Sequence, residues 1–153
     1  MTRTNAREIA VHLVYNLHYT DAPASEVFDA RMEEEYYPNL TDVDDIYAER
    51  PNQKQREYIR ALVCGVQEKM AELDQYIETY AVNWKLNRIS KISRSIMEVA
   101  MYEILYVDDV PTAAAINEAV EICKHYEEDE TVSFVNGILG RFAKEVQTNV
   151  SGN

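Results

Sequence analysis

Apolar side chains recur along this chain at steps of three and four residues, and no convincing stretch shows the strict alternation of a half-buried strand. The longest run passes through Tyr58, Ile59, Leu62, Val63, Val66, Met70, Leu73 and Ile77. That spacing lays one apolar stripe along an α-helix, and such a stripe must be buried against another element. Helix breakers are scarce. The 153 residues include four Gly and four Pro, too few to punctuate a many-stranded β fold. An all-α chain of six or seven amphipathic helices around one core follows.

The breaks divide the chain. A first helix carries Ile9, Ala10, Leu13, Val14 and Leu17, with Asn5 and Glu8 at the spacing of a capping box and Asp21 and Pro23 beyond its end. Ser25 is placed to cap a second helix bearing Val27, Phe28 and Met32. From Glu33 to Pro51 the pattern dissolves into an acidic connection, which reads as a solvated loop. Pro51 suits the first turn of the long helix, which is continuous or bent near Glu72. A break at 83–87, a Ser90 cap, a stop at Asp108-Asp109-Val110-Pro111 and a connection at 125–130 set off three more helices. Residues 1–150 read as a single domain and 151–153 as a loose tail.

Lys and Arg total 15 against 27 Asp and Glu, a net charge of −12. That balance opposes non-specific nucleic-acid binding, which depends on phosphate neutralisation, and equally opposes an anionic membrane surface. Basic residues clustered on one face would still bind RNA. No segment has the roughly 20 apolar residues of a membrane span, and the first residues lack a signal peptide's apolar run. A cytoplasmic location is the expectation. Cys64 and Cys123 each lie on an apolar helical stripe and are expected to be buried, reduced and unpaired.

Catalytic signatures are absent. The chain has no GxSxG, no phosphate loop and no GxGxxG. His12 and His18 are six residues apart, which does not stack them as i, i+4 metal ligands. No enzyme activity, metal or cofactor is expected.

The second half is the informative one. Tyr102-Glu103-Ile104, Asp109-Val110-Pro111, Ala115-Ile116-Asn117-Glu118-Ala119-Val120-Glu121, Lys124 and Phe134-Val135-Asn136-Gly137-Ile138-Leu139 follow in that order. Ala6-Arg7-Glu8, Ala10 and Val14-Tyr15 add a shorter match near the N-terminus. In these motifs the chain resembles the NusB family of bacterial transcription antitermination proteins. Taken as architecture, Asn117 and Asn136 cap or cross-link helices through buried hydrogen bonds, and Gly137 admits a close backbone neighbour.

The resemblance implies a bundle of about seven helices in two subdomains. It implies binding to the boxA element of nascent ribosomal RNA, together with the ribosomal protein NusE, in the antitermination complex at RNA polymerase. By position it points to Arg3, Arg7, Tyr15, Lys124, Glu130 and Phe134 for RNA, and to the helix around Ser93 and Glu98 for the partner. It leaves monomer and homodimer open. The chain departs from the family pattern where Ser93 stands in place of the usual acid, where Met97-Glu98 replaces Leu-Arg, and in having only Arg3 and Arg7 as basic residues near the N-terminus. On a surface, Glu98 would repel RNA, so its replacement by Arg would strengthen binding. The acidic balance favours a second reading, a NusB-like protein-interaction module that has lost most RNA affinity. A helical domain attached to an RNA methyltransferase is a third, weaker one.

Overall fold

The computed structural model describes residues 1–34, 36–42 and 44–151, with only the backbone described for Asp42 and residues 147–151. Six α-helices appear, α1 (Arg3–Leu17), α2 (Ala24–Arg31), α3 (Gln53–Tyr80), α4 (Lys91–Tyr106), α5 (Thr112–Lys124) and α6 (Asp129–Ser151). Short 3-10 helices lie at Tyr37–Asp42, Asp45–Tyr47 and Leu86–Arg88. No strand occurs among the described residues. No helix among them is long and apolar enough to cross a membrane. The fold forms two compact units, Met1–Glu68 and Lys69–Asn153. Gly152 and Asn153, part of the expected loose tail, lie outside the described residues.

In the first unit α1 buries Ala6, Ile9, Ala10, Leu13 and Val14. Its cap is Thr2, whose hydroxyl accepts the Asn5 N–H at 3.0 Å. This corrects the Asn5 assignment. The N–H groups of the first turn need an oxygen outside the helix, and Thr2 supplies it. Ser25 is likewise not the cap of α2. Pro23 holds that position, and Gln67 satisfies the opening Ala24 N–H at 2.8 Å. At the start of α3, Asn52 and Gln55 each accept the other's backbone N–H at 2.9 Å, a reciprocal capping box.

The stretch between α2 and α3 is not simply a solvated loop. Tyr37 and Tyr47 are each 1% exposed, with ring centroids 5.6 Å apart. Tyr37 donates to the Glu49 carbonyl at 2.8 Å, and Arg50 donates to the Met32 carbonyl at 3.1 Å. Two tyrosines thus carry the apolar burial that the acidic residues around them cannot.

α3 is one continuous helix of 28 residues rather than two. Just beyond its end at Tyr80 lies Asn83, a non-glycine residue with positive φ (70°), a conformation Asn tolerates better than most residues. In the second unit α4, α5 and α6 pack pairwise. Their shared core includes Ile96, Met97, Met101, Ile122, Cys123, Val135, Ile138, Leu139 and Phe142. α4 begins at its Ser90 cap, whose Oγ accepts the Ser93 N–H at 3.2 Å, as the sequence predicts. Cys64 and Cys123 are both free thiols, but only Cys123 is buried; Cys64 is partly exposed.

Candidate nucleic-acid interface

Three residues expected to contact RNA lie in the first unit. Arg3 and Arg7 stand one turn apart on α1, and both reach Tyr58 of α3. The guanidinium carbon of Arg3 is 4.5 Å from the ring centroid and that of Arg7 is 5.9 Å away. Arg3 is exposed, whereas Arg7 is only 6% exposed, so most of its side chain faces protein. Tyr15, further along α1, is half-buried. Its ring meets that of Tyr19 edge-on at 5.1 Å, and the two hydroxyls are 3.2 Å apart. Tyr19 is exposed and extends the aromatic surface beyond the residues expected from sequence.

The other three lie in the second unit. Glu130 and Phe134 are four residues apart on α6, which places them on one face. They line a cleft of about 350 Å³ with Trp84, Arg88, Ser90 and Thr131. The Trp84 and Phe134 rings are 5.8 Å apart and tilted by 56°, and Trp84 is 52% exposed. An indole and a phenyl ring beside Arg88 offer apolar faces and a cation to an unstacked nucleotide. Trp84 was legible in the sequence only as part of a break, because no periodic pattern surrounds it. Lys124 is not among the lining residues. It ends α5 and pairs with Glu121 at 2.9 Å on the exposed surface, so a phosphate would have to compete with that carboxylate.

Ser93 and Glu98 require correction. Both are 0% exposed; Ser93 lies at the base of the cleft that Glu130 and Phe134 line, whereas Glu98 presents no surface to a partner in this fold. The Ser93 hydroxyl donates to Glu127 at 3.0 Å, and the Ser90 hydroxyl donates to the same oxygen at 2.6 Å. An acid at position 93 would face that carboxylate, whereas Ser supplies the proton the site needs. Glu98 lies beside Arg94, whose Nε is 3.7 Å from its Oε2. Arg94 also forks onto Asp74, with Nε and Nη2 at 3.3 and 2.7 Å from its two oxygens. Burial holds the Glu98 carboxyl well above its usual range; its hydrogen bond to Asp74 and that charge push it the same way, against Arg94. Burial thus favours the uncharged form of Glu98, and the charge reversal expected at a binding surface falls on an interior position instead.

Asn117 and Asn136 are exposed, so the buried cross-links expected of them do not form. Gly137 is exposed as well. A Cβ there would meet only the tip of Arg141, at 4.0 Å, which removes the close-approach reading. No cluster of His, Cys, Asp and Glu suited to a metal ion occurs among the described residues.

Two all-helical units, one with a basic-aromatic cluster and one with an aromatic cleft, define the class: a small all-α protein with surfaces suited to binding. The chain belongs to the NusB family, whose model matches residues 4–144. The transcription antitermination protein NusB of Clostridium perfringens (strain ATCC 13124) is 39% identical over 147 residues, covering 96% of this chain and 100% of the relative. That of Acetivibrio thermocellus is 40% identical over 153 residues, covering 100% and 96%. Among solved structures, T. maritima NusB superposes with a TM-score of 0.78 at 29% identity, covering 95% of this chain and 92% of that one. A chain from the structure of antitermination factors NusB and NusE in complex with dsRNA gives a TM-score of 0.74 at 20% identity, covering 94% and 96%; at that identity it speaks for the fold.

Proposed function

We propose that this protein is a non-enzymatic, cytoplasmic antitermination factor that binds single-stranded boxA-type RNA of ribosomal transcripts together with NusE. The observation that carries the reading is the cleft in which Trp84, Phe134, Arg88 and Glu130 come together in a chain of the NusB family. Phe134 and Trp84 supply faces for bases, and Arg88 lies within reach of the adjoining phosphate. Glu130 accepts hydrogen bonds from a base's amino edge. Arg3, with Arg7 behind it, neutralises backbone charge in the first unit, Tyr15 stacks, and Lys124 adds a cation once released from Glu121. A related chain crystallised with NusE and dsRNA supports the choice of partner.

With a net charge of −12, the protein alone binds weakly, because few phosphates are neutralised. NusE offsets this by contacting the same RNA, a coupling between two ligands. Titration of fluorescent boxA RNA and a scrambled control, with and without NusE, tests this. Tighter binding of boxA when NusE is present is expected. Equal affinity for both RNAs in both conditions would sink the reading and leave the protein-interaction module standing.

A further inference from the structure

Glu127 lies in the connection between α5 and α6 and lines the same cleft as Trp84, Arg88 and Phe134. Its Oε1 accepts the hydroxyls of both Ser90 and Ser93. A carboxylate oxygen has two lone pairs, so Oε1 is filled. Oε2 has no hydrogen-bond partner among the described residues. Glu127 is partly exposed, so packing alone does not fix its side chain, and the two serines are what hold it. Glu130, three residues on, is exposed and lacks that hold. A carboxylate in a cleft for RNA repels phosphate. Arg88, exposed in the same cleft, offsets that charge.

We propose that Glu127 is a specificity-determining residue: its Oε2 accepts from the exocyclic amino group of a base lying against Trp84 and Phe134, so that among pyrimidines the cleft prefers cytosine to uracil. This role rests on the RNA-binding reading above and deepens it by naming the class of base. Cytosine N4 is a donor and pairs with a carboxylate, whereas uracil presents O4, an acceptor, at the same place. An ionised carboxyl has no proton to give in any orientation. Uracil would therefore leave two acceptors facing each other, both stripped of water. The two serines have already removed side-chain freedom that binding would otherwise cost.

The test uses the full chain with NusE and a set of boxA-type single strands in which each pyrimidine position carries cytosine or uracil in turn. At one position the wild type should prefer cytosine by about 10-fold, the effect of one hydrogen bond to a charged group. Glu127→Gln should erase or reverse that preference, and at that position alone. The Gln carbonyl can take over the serine hydroxyls, which turns its NH2 toward the cleft as a donor for uracil O4. Ser93→Ala, which keeps the Ser90 cap, should shrink the preference and leave cytosine the better base. Thermal melting of each variant accompanies the titrations.

Equal loss of affinity for cytosine and uracil strands in Glu127→Gln would mean a role in folding or overall charge and would overturn the proposal. So would a wild type with no cytosine preference at any position. A Glu127→Gln variant that loses affinity for NusE in the absence of RNA would show that the cleft takes protein, and would overturn it too. Failure of the wild-type protein to bind any of the strands with NusE present would overturn the RNA reading and this inference together. Wild-type binding with the same base preferences in Glu127→Gln would overturn the inference alone.

Discussion

The Tyr47 hydroxyl lies 2.9 Å from Nδ1 of His12, and a third group sets the sense of the bond. Arg31 donates Nη1–H to the same hydroxyl at 2.5 Å, and Arg has nothing with which to accept. The tyrosine oxygen accepts from Arg31, and its own O–H is placed to donate to Nδ1 of a neutral His12 that carries its hydrogen on Nε2. Burial lowers the His12 pKa; Glu8 and Asp44 oppose this and Arg31 adds to it. Burial likewise pushes the Tyr47 hydroxyl up to about 12, so it remains a donor.

A histidine held below its ordinary 6.5 takes up protons more readily when unfolded. Its contribution to stability is complete above that pH and is lost as the pH falls through 6.5 toward the folded value. Urea unfolding measured from about pH 8 to about pH 5 should show a decline that is shallower in His12→Gln, which keeps an acceptor for Tyr47 but does not titrate. Parallel pH profiles for the two proteins would remove His12 from the account.

Glu98 titrates in the opposite sense. Its carboxyl is held above the usual range, so its stabilising contribution is present at low pH and lost as the pH rises through the folded value. Glu98→Gln, which keeps the shape and a donor for Asp74, should gain on wild type in stability as the pH rises. Glu98→Arg should cost on the order of 3–5 kcal/mol, because it buries a second guanidinium against Arg94. Stronger RNA binding by a stably folded Glu98→Arg protein would contradict the burial of this residue.

Trp84 is the chain's single tryptophan, and it borders the cleft beside Phe134. Its fluorescence should be quenched as boxA RNA is added with NusE, without any label. Phe134→Ala should weaken binding by about 1–3 kcal/mol if a base stacks on that ring. Phe134 is only half-buried, so melting should fall less than for Phe142→Ala, whose ring is fully enclosed. Unchanged emission at saturating RNA would place the ligand elsewhere.

The two thiols should differ in reactivity. Cys123 is fully buried, and burial raises its pKa to about 11, which leaves almost no thiolate at neutral pH. Cys64 is partly exposed. Iodoacetamide with mass spectrometry should modify Cys64 first, and Cys123 only after denaturant is added.

Much of the helix layout was legible because a stripe such as Ile59, Leu62, Val63 and Val66 has one periodic solution. Stop signals at Pro111 and Ser90 are local chemistry that needs no tertiary context. Helix starts were less legible. Thr2 and Gln67 serve as caps through contacts that depend on where the chain happens to run, and Asn5 and Ser25 have the same composition at the wrong place. Glu98 misled because a charged residue reads as surface, whereas here it packs inside beside Arg94 and Asp74, where burial favours its uncharged form. The candidate site was half legible. Phe134 and Glu130 share a helix face and follow from spacing, but Trp84 and Tyr58 join their partners across elements, and no single window contains both.

The burial of Tyr47 also sets how the protein should be cut. The bond after Tyr47 is one chymotrypsin would favour, and it lies in the longest stretch without an α-helix, yet its side chain is 1% exposed and held by His12 and Arg31. Tyr37, the other enclosed aromatic there, precedes Pro38 and is protected, whereas exposed Tyr36 is open to cleavage from the start, so only the Tyr47–Ala48 product reports the first unit. Cleavage at Tyr47–Ala48 therefore has to wait for the first unit to open, and its rate reports the population of that opened form. Because opening is favoured as His12 takes up its proton, the stretch that looks most like a linker should turn into a protease-sensitive gauge of acidity.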